Sequence, residues 1–343
     1  MTLQRQVSLL PLTTFHLAAV ANELIQVNTL AELLEVRNDS VDHAVDCLFL
    51  GGGSNVLITA PIKQRVIRNS LKGIEIVHET EDHIDIAFAS GENWHECVMW
   101  CVDRGYGGIE NLALIPGTIG AAPMQNIGAY GADISQVLLF VDTLEWATGE
   151  ARRFSAEACA LGYRDSYFKH EGKNKFFITR VALRLSKKPK YCIDYGDVQQ
   201  VLREQFNNEI NLHTIAQSIM HIRQSKLPNP DELGNAGSFF KNPVIPALEA
   251  EKLKQTYPNM PQYPNNDGVK IPAAWLIEHG GPEAGVSWKG YRRGACGVHQ
   301  KQALVLVNYG GAQGEDILRL SSDIMADVQA RFGIALEREV NIW

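Results

Sequence analysis

Two stretches of this chain are made of the residues with which main chain grips a ligand. The first is Gly51-Gly52-Gly53-Ser54-Asn55, directly after Asp46-Cys47-Leu48-Phe49-Leu50, a short apolar run that reads as a buried strand. Consecutive peptide N–H groups in a glycine turn form a concavity for an anion, and a pyrophosphate suits its size. The turn lacks the G-x-G-x-x-G spacing of a dinucleotide fingerprint and the lysine of a phosphate loop. The second stretch runs from Asn111 to Gly131, NLALIPGTIGAAPMQNIGAYG, and carries no charge. Its glycines and alanines let backbone approach a ligand closely, and its prolines fix turns. Such a run suits a flat ligand with polar edges; it equally suits a buried, tightly turned loop with no ligand. Two glycine-rich turns in one chain point to one shared ligand.

Other chemistries fit less well. The cysteines are Cys47, Cys97, Cys101, Cys159, Cys192 and Cys296, and no two stand as C-x-x-C. Cys97 and Cys101 share a face of an expected helix but have no partner ligands in sequence, so no metal site is expected. Scattered reduced thiols suit the cytoplasm. No G-x-S-x-G elbow signals a serine hydrolase. A formal net charge of −7 argues against a broad nucleic-acid surface. Ser8 to Ala21 is fairly apolar, but Thr13, Thr14 and His16 interrupt it and only Arg5 precedes it, so a signal peptide is not expected. No uninterrupted apolar run reaches the roughly 20 residues of a membrane span.

Further motifs narrow the reading. GGGSNVL at 51–57, the 111–131 run, GYRDSYF at 162–168, KLPNP at 226–230, GNAGSFFKNP at 234–243 and QALVLVN at 302–308 follow one another in this order. Together they resemble the UDP-N-acetylenolpyruvoylglucosamine reductases, flavoenzymes that complete UDP-N-acetylmuramate for the bacterial cell wall, and so serve cell shape and division. The likeness extends from LPLTTF at 10–15 to Glu339. It implies an α+β chain: a two-lobed FAD-binding fold of the vanillyl-alcohol-oxidase type, then a smaller α/β substrate-binding lobe. It implies FAD as cofactor and NADPH as co-substrate. Some relatives of that fold attach flavin through His or Cys in these loops; neither stretch has one, so noncovalent FAD is expected.

The family's reaction passes hydride from NADPH to FAD and then to the vinyl carbon of an enolpyruvyl ether. Charge collects on the adjacent carbon and its carboxylate, so the protein must stabilise that charge and then protonate the carbon. By resemblance Arg164 forks onto the carboxylate. Glu339 is a second stabiliser, which requires a protonated carboxyl and hence a raised pKa. The family usually has proline before this glutamate, whereas here Arg338 stands there, so Glu337 also fits; Glu339 is chosen because Val340 follows it. Ser238 is the proton donor, presented by Gly234-Asn235-Ala236-Gly237. Gly51, Gly53, Ser54 and Asn55 lie near the pyrophosphate. Ile115, Gly117, Gly120, Gln125, Asn126, Gly128, Ala129 and Gly131 line the flavin. Tyr130, Tyr195, Lys226, Asn242, Tyr263 and Gln302 meet the substrate, Tyr263 from a loop that closes over the nucleotide.

These residues need elements to hold them. A capping-box pattern at Thr29 to Glu32 predicts a helix to about Arg37. Val66–Asn69, His83–Ala89, Val137–Trp146, Phe176–Leu185 and Ala303–Asn308 read as strands. Asn93 caps a helix that Gly105 ends. Glu315–Phe332 is the clearest amphipathic helix, with Ile317, Leu318, Ile324, Met325, Val328 and Phe332 on about one face. Tyr257–Pro264, rich in Pro, Asn and Tyr, reads as a mobile loop. At 343 residues the chain is too long for one ordinary core, and its 45% hydrophobic and 21% charged content suits a globular enzyme. The expected division is an FAD-binding lobe over 1–70, a second over 71–226 and a substrate-binding domain over 227–343, whose extreme C-terminus returns toward the first lobe. A monomer is expected, with UDP-sugar and NADPH as its ligands. The rival readings are another flavoprotein of the same fold acting on a different alcohol or sugar, and a flavin-binding module without catalysis.

Overall fold

Thr29 opens the first helix, α1 (Leu30–Asp42), by accepting the Glu32 N–H on its hydroxyl. Glu32 returns a carboxylate oxygen to the Asn28 N–H at 2.7 Å, one residue before the cap. In this computed structural model, which describes residues 2–195, 197–265 and 267–343, α1 continues past Arg37. The added turn is polar and gave no apolar period. It is held from the next sheet by the buried Arg65 guanidinium, which reaches Asp39, Ser40 and Glu23.

Contacts divide the chain into two compact units. The first comprises residues 1–7, 21–53 and 62–225. In its smaller sheet the strands lie in the order Leu3–Ser8, Val20–Val27, Ile62–Asn69, Cys47–Leu50. The last three are parallel, with Phe49 beside Ile67 and Ile67 beside Ile25. The larger sheet is antiparallel, in the order Ala151–Ser155, Leu138–Glu145, Phe176–Ser186, His83–Ala89, Ile74–Glu79. His83–Ala89 alternates in sequence, yet six of its seven residues are buried. Asp85 is among them, bidentate with Arg184 of the neighbouring strand.

Helices α2 (Trp94–Val102), α3 (Val198–Phe206) and α4 (Leu212–Lys226) cover that sheet. Asn93 caps α2 by accepting the Glu96 N–H at 3.0 Å. Cys97 and Cys101 point into the core formed by Phe88, Trp94, Ile109 and Ile219, and burial pushes the Cys97 thiol up to about 12. They pack as small apolar groups.

The second unit comprises residues 8–20, 54–61 and 226–343. Its main sheet is antiparallel, in the order Gly234–Ser238, Val305–Asn308, Cys296–Val298, Arg292–Arg293. The N-terminal segment threads this unit: Phe15 lies in its core, and Asn308 donates to the carbonyls of Phe15 and His16. Helix α5 spans Ala247–Thr256, α6 spans Ala273–His279 and α7 spans Gly314–Phe332. In α7, Ile317, Leu320, Ile324, Val328 and Phe332 are buried, while Leu318 and Met325 pack at the margin. Gly333 ends it at φ +70°, as a left-handed cap requires.

The Tyr257–Pro264 segment has more order than its composition suggests. Met260 is fully buried, the Tyr257 ring meets Trp275 and Phe332, and Tyr263–Asn265 pairs with Gly268–Lys270. No described helix is long and apolar enough to cross a membrane.

Candidate active site

The glycine turn and the uncharged run meet within the first unit. A Cβ on Gly51 would stand 2.6 Å from the Thr118 hydroxyl, and one on Gly52 would stand 2.9 Å from the Gly117 Cα. Side chains are excluded because two main-chain segments touch there. Gly53 at φ +63° and Gly117 at φ +115° adopt dihedrals that other residues avoid. Among the described residues, none hydrogen-bonds the buried Thr118 hydroxyl. A buried orphan hydroxyl beside a glycine turn is costly unless a ligand completes it. Close-packed main chain, glycine dihedrals and an open donor together fit a cofactor gripped by backbone, as the FAD implied by the resemblance would be.

The run from Asn111 to Gly131 has little regular structure, so its polar groups are satisfied one at a time. The Trp94 indole donates to the Leu112 carbonyl, and the Trp94 N–H to that of Gly117. Asn111 donates to the carbonyls of Tyr130 and Cys192. Asn126 donates to Gly162 and accepts from the Ser135 N–H. The Ser166 hydroxyl donates to Met124. Leu114, Asn126 and Tyr130 all have φ between +44° and +60°, a region that costs a non-glycine residue on the order of 1–2 kcal/mol. Gly120 lies against Ser90, Gly128 against Asp133 and Gly131 against Cys192, each too close for a side chain. Ala129 closes a tight antiparallel turn on Ala132. Ile115 packs at the edge of the core and Gln125 is half-buried.

Arg164, itself at φ +54°, reaches into this run. Its guanidinium donates to the carbonyls of Asn126 and Gly128. Tyr130 meets the exposed ring of Tyr195 edge-on at 6.2 Å. Gly196, beside Tyr195 in the D-Y-G-D motif, lies outside the described residues. Thus Gly51, Gly53, the residues of the run, Arg164, Tyr130 and Tyr195 share one unit.

A second constellation stands in the other unit. Ser238 ends the strand Gly234–Ser238 after a break in register, with Gly237 at φ +67°. A bulge of this kind re-aims the next side chain. Among the described residues none hydrogen-bonds the half-buried Ser238 hydroxyl. Asn235 holds the turn by donating to Pro228 and Leu233 and accepting from the Gly237 N–H. The C-terminal segment runs alongside: Glu339 donates its N–H to the Phe239 carbonyl at 2.8 Å, and Lys241 donates to the Glu337 carbonyl. Glu339 is half-buried next to Ser238's neighbour, whereas the exposed Glu337 side chain pairs with the Lys241 ammonium. Arg338 turns away and donates to Ser321 and Ser322 of α7.

Asn55 belongs to this second group. Its amide donates to the Glu339 carbonyl, and its own carbonyl accepts twice from Asn341. Ser54 precedes it in the same unit. Gln302 accepts the Leu304 N–H, one residue from Val305, the partner of Ser238. The Asn242 side-chain oxygen accepts the Ala273 N–H at the start of α6. Lys226 closes α4 and is exposed. Tyr263 is 56% exposed on the edge of a three-stranded sheet other than that of Ser238.

Three residues of the site escape sequence reading. Thr118 lies inside the uncharged run, and its position before Ile119 was its only signal. His95 and Arg223 lie on helices distant in sequence, with none. His95 accepts the Leu114 N–H at Nδ1 at 3.0 Å, and Arg223 donates to the Leu114 carbonyl at 3.3 Å.

Comparison with known proteins follows this geometry. Residues 21–155 match the model of an FAD binding domain, and residues 229–343 match that of the UDP-N-acetylenolpyruvoylglucosamine reductase C-terminal domain. A UDP-N-acetylenolpyruvoylglucosamine reductase of Amoebophilus asiaticus is 46% identical over all of this chain and 99% of its own. One of Pseudomonas savastanoi is 45% identical over the full length of both. The crystal structure of the Thermus caldophilus reductase covers all of this chain and 99% of its own at a TM-score of 0.69 and 23% identity, a shared fold.

Proposed function

The chain belongs to the UDP-N-acetylenolpyruvoylglucosamine reductase family, and on that footing we propose which of its residues perform the reaction. It is an FAD-dependent oxidoreductase that reduces UDP-N-acetylglucosamine enolpyruvate in peptidoglycan precursor synthesis, with NADPH as co-substrate. Bound FAD supplies a reversible hydride carrier between NADPH and the enol ether.

The chain's own residues manage charge and protons. Once the vinyl carbon has gained hydride, negative charge spreads over the adjacent carbon and its carboxylate. Arg164 meets that carboxylate with a fixed positive charge. Glu339, when protonated, hydrogen-bonds the same developing charge. Ser238 gives its hydroxyl proton to the carbon, which is basic enough that position matters more than the donor's acidity. Gly51, Gly53, Ser54 and Asn55 hold the pyrophosphate, and the 111–131 run, with Thr118 added, holds the flavin. Lys226 balances the substrate diphosphate. Tyr130, Tyr195, Asn242, Gln302 and Tyr263 orient the sugar nucleotide.

One observation carries the assignment of the glutamate and the serine. The Glu339 N–H rung on Phe239 sets Glu339 across from the residue that follows Ser238, and the exposed Glu337 carboxylate pairs with Lys241. Anaerobic half-reactions test it. Ser238→Ala bleaches normally with NADPH, but its recoloration by the enolpyruvyl substrate slows about 100- to 10,000-fold. Recoloration at the native rate removes Ser238 from the mechanism. We further take the protein to be a cytoplasmic monomer; the unpaired thiols of all six cysteines suit a reducing compartment, and light scattering at assay concentration tests the monomer.

A further inference from the structure

Leu114 is gripped at both of its peptide groups by side chains from two helices, and we propose that His95 of α2 and Arg223 of α4 are positioning residues that set the flavin-facing run. The inference rests on the reading that Asn111–Gly131 lines the flavin. Leu114 has φ +60°, a conformation that a leucine keeps only where its surroundings over-determine it. Those surroundings are His95 Nδ1, which accepts the Leu114 N–H at 3.0 Å, and Arg223 Nε, which donates to the Leu114 carbonyl at 3.3 Å. Ile115, Pro116 and Gly117 follow immediately, and Gly117 is the residue against which Gly52 lies. A peptide flip at Leu114 therefore moves the floor of the glycine turn. By this route one side chain from each of two helices decides where that floor stands.

The clamp is sensitive to protons by construction. Nδ1 accepts only when it carries no proton, so the ring must be neutral with its proton on Nε2. A protonated ring would set one N–H against another. Burial holds the His95 pKa below its ordinary value; the charge of Arg223 acts in the same direction and that of Glu96 against it. These are the charged groups that face the ring. Arg223 in turn faces Tyr130 and Arg164, and its own desolvation favours losing charge. Because the folded pKa lies below the unfolded one, the clamp is intact at neutral pH. It opens as pH falls below the ordinary histidine value of about 6.5 and through the lowered folded value.

The test measures the FAD dissociation constant of the holoenzyme by flavin fluorescence from about pH 8 to about pH 5. His95→Leu removes the acceptor and weakens FAD about tenfold at neutral pH. His95→Asn sets a carbonyl oxygen where Nδ1 stands. It keeps FAD within about threefold and flattens the acid limb of the native profile, since it does not titrate. Circular dichroism reports whether each variant folds. A folded His95→Leu protein with native FAD affinity overturns the clamp. Should His95→Leu not fold, His95→Asn decides alone, and a native acid limb in it overturns the clamp. Gly117→Ala separates the two readings. If Gly117→Ala binds FAD as the native protein does, the run is not the flavin cradle, and the clamp falls with it. If Gly117→Ala loses FAD while His95→Leu keeps it, the clamp alone is wrong.

Discussion

The two constellations, one in each unit, are held together in opposite ways. The 111–131 run is irregular, and side chains satisfy its carbonyls singly: Asn111, Arg164, Ser166, Trp94 and Arg223 each take one or two. The segment around Ser238 and Glu339 is held by main-chain rungs, Phe239 to Leu304, Glu339 to Phe239 and Lys241 to Glu337. A ladder repeats the same bond, so one lost side chain leaves it standing. An irregular loop has less redundancy, because different side chains there satisfy different carbonyls.

The comparison breaks most visibly in the ladder's chemistry. Glu339→Gln slows the oxidative half-reaction about 100-fold or more, whereas Glu337→Gln stays within about twofold, because it loses only an exposed ion pair. Stopped-flow recoloration of both variants checks this, and equal effects would erase the distinction between the two glutamates. In the loop, Asn126→Ala removes a donor to Gly162 and an acceptor for Ser135, and leaves alanine at φ +44°. The expected loss is about 2–4 kcal/mol in denaturant unfolding.

On the ladder side, Gly237→Ala meets nothing within 4 Å and pays only for φ +67°. Its cost is about 1 kcal/mol, so a larger loss there than at Asn126 would reverse the comparison. The smallest effect lies outside both constellations. Hydrogen bonds from Arg184 hold the Asp85 carboxyl below its ordinary value against the opposing effect of burial. That stabilisation is complete above the unfolded carboxylate pKa of about 4 and is lost as pH falls through the lowered folded value. With Arg184 half exposed, Asp85→Asn costs under about 1 kcal/mol at neutral pH and flattens the acid limb of unfolding.

Local rules carried some elements well. Thr29 and Asn93 cap their helices with the side-chain bonds their neighbours at the third position imply. His83–Ala89 begins and ends where its alternation does. Rules failed where a partner remote in sequence decides. The last turn of α1 is polar and exists beside Arg65; Met260 and Tyr257 are fixed by aromatic neighbours that their Pro-rich surroundings do not announce. Glu337 and Glu339 are two apart, a spacing that gives both the same side of an extended strand. Their contacts with Lys241 and Phe239, remote in sequence, tell them apart.

By itself, the sequence determined which residues are free of side chains, which carry fixed charge and which short segments alternate, since these are properties of residue types and near neighbours. It thereby determined the family and, with it, the cofactor. The tertiary structure alone decided that Thr118 keeps a buried hydroxyl open beside Gly51, that His95 and Arg223 close on Leu114, and that residues 8–20 and 54–61 join the C-terminal core. The reason is physical: a hydrogen bond or a buried contact belongs to two places in the chain at once, and a pattern read along one stretch contains only one of them.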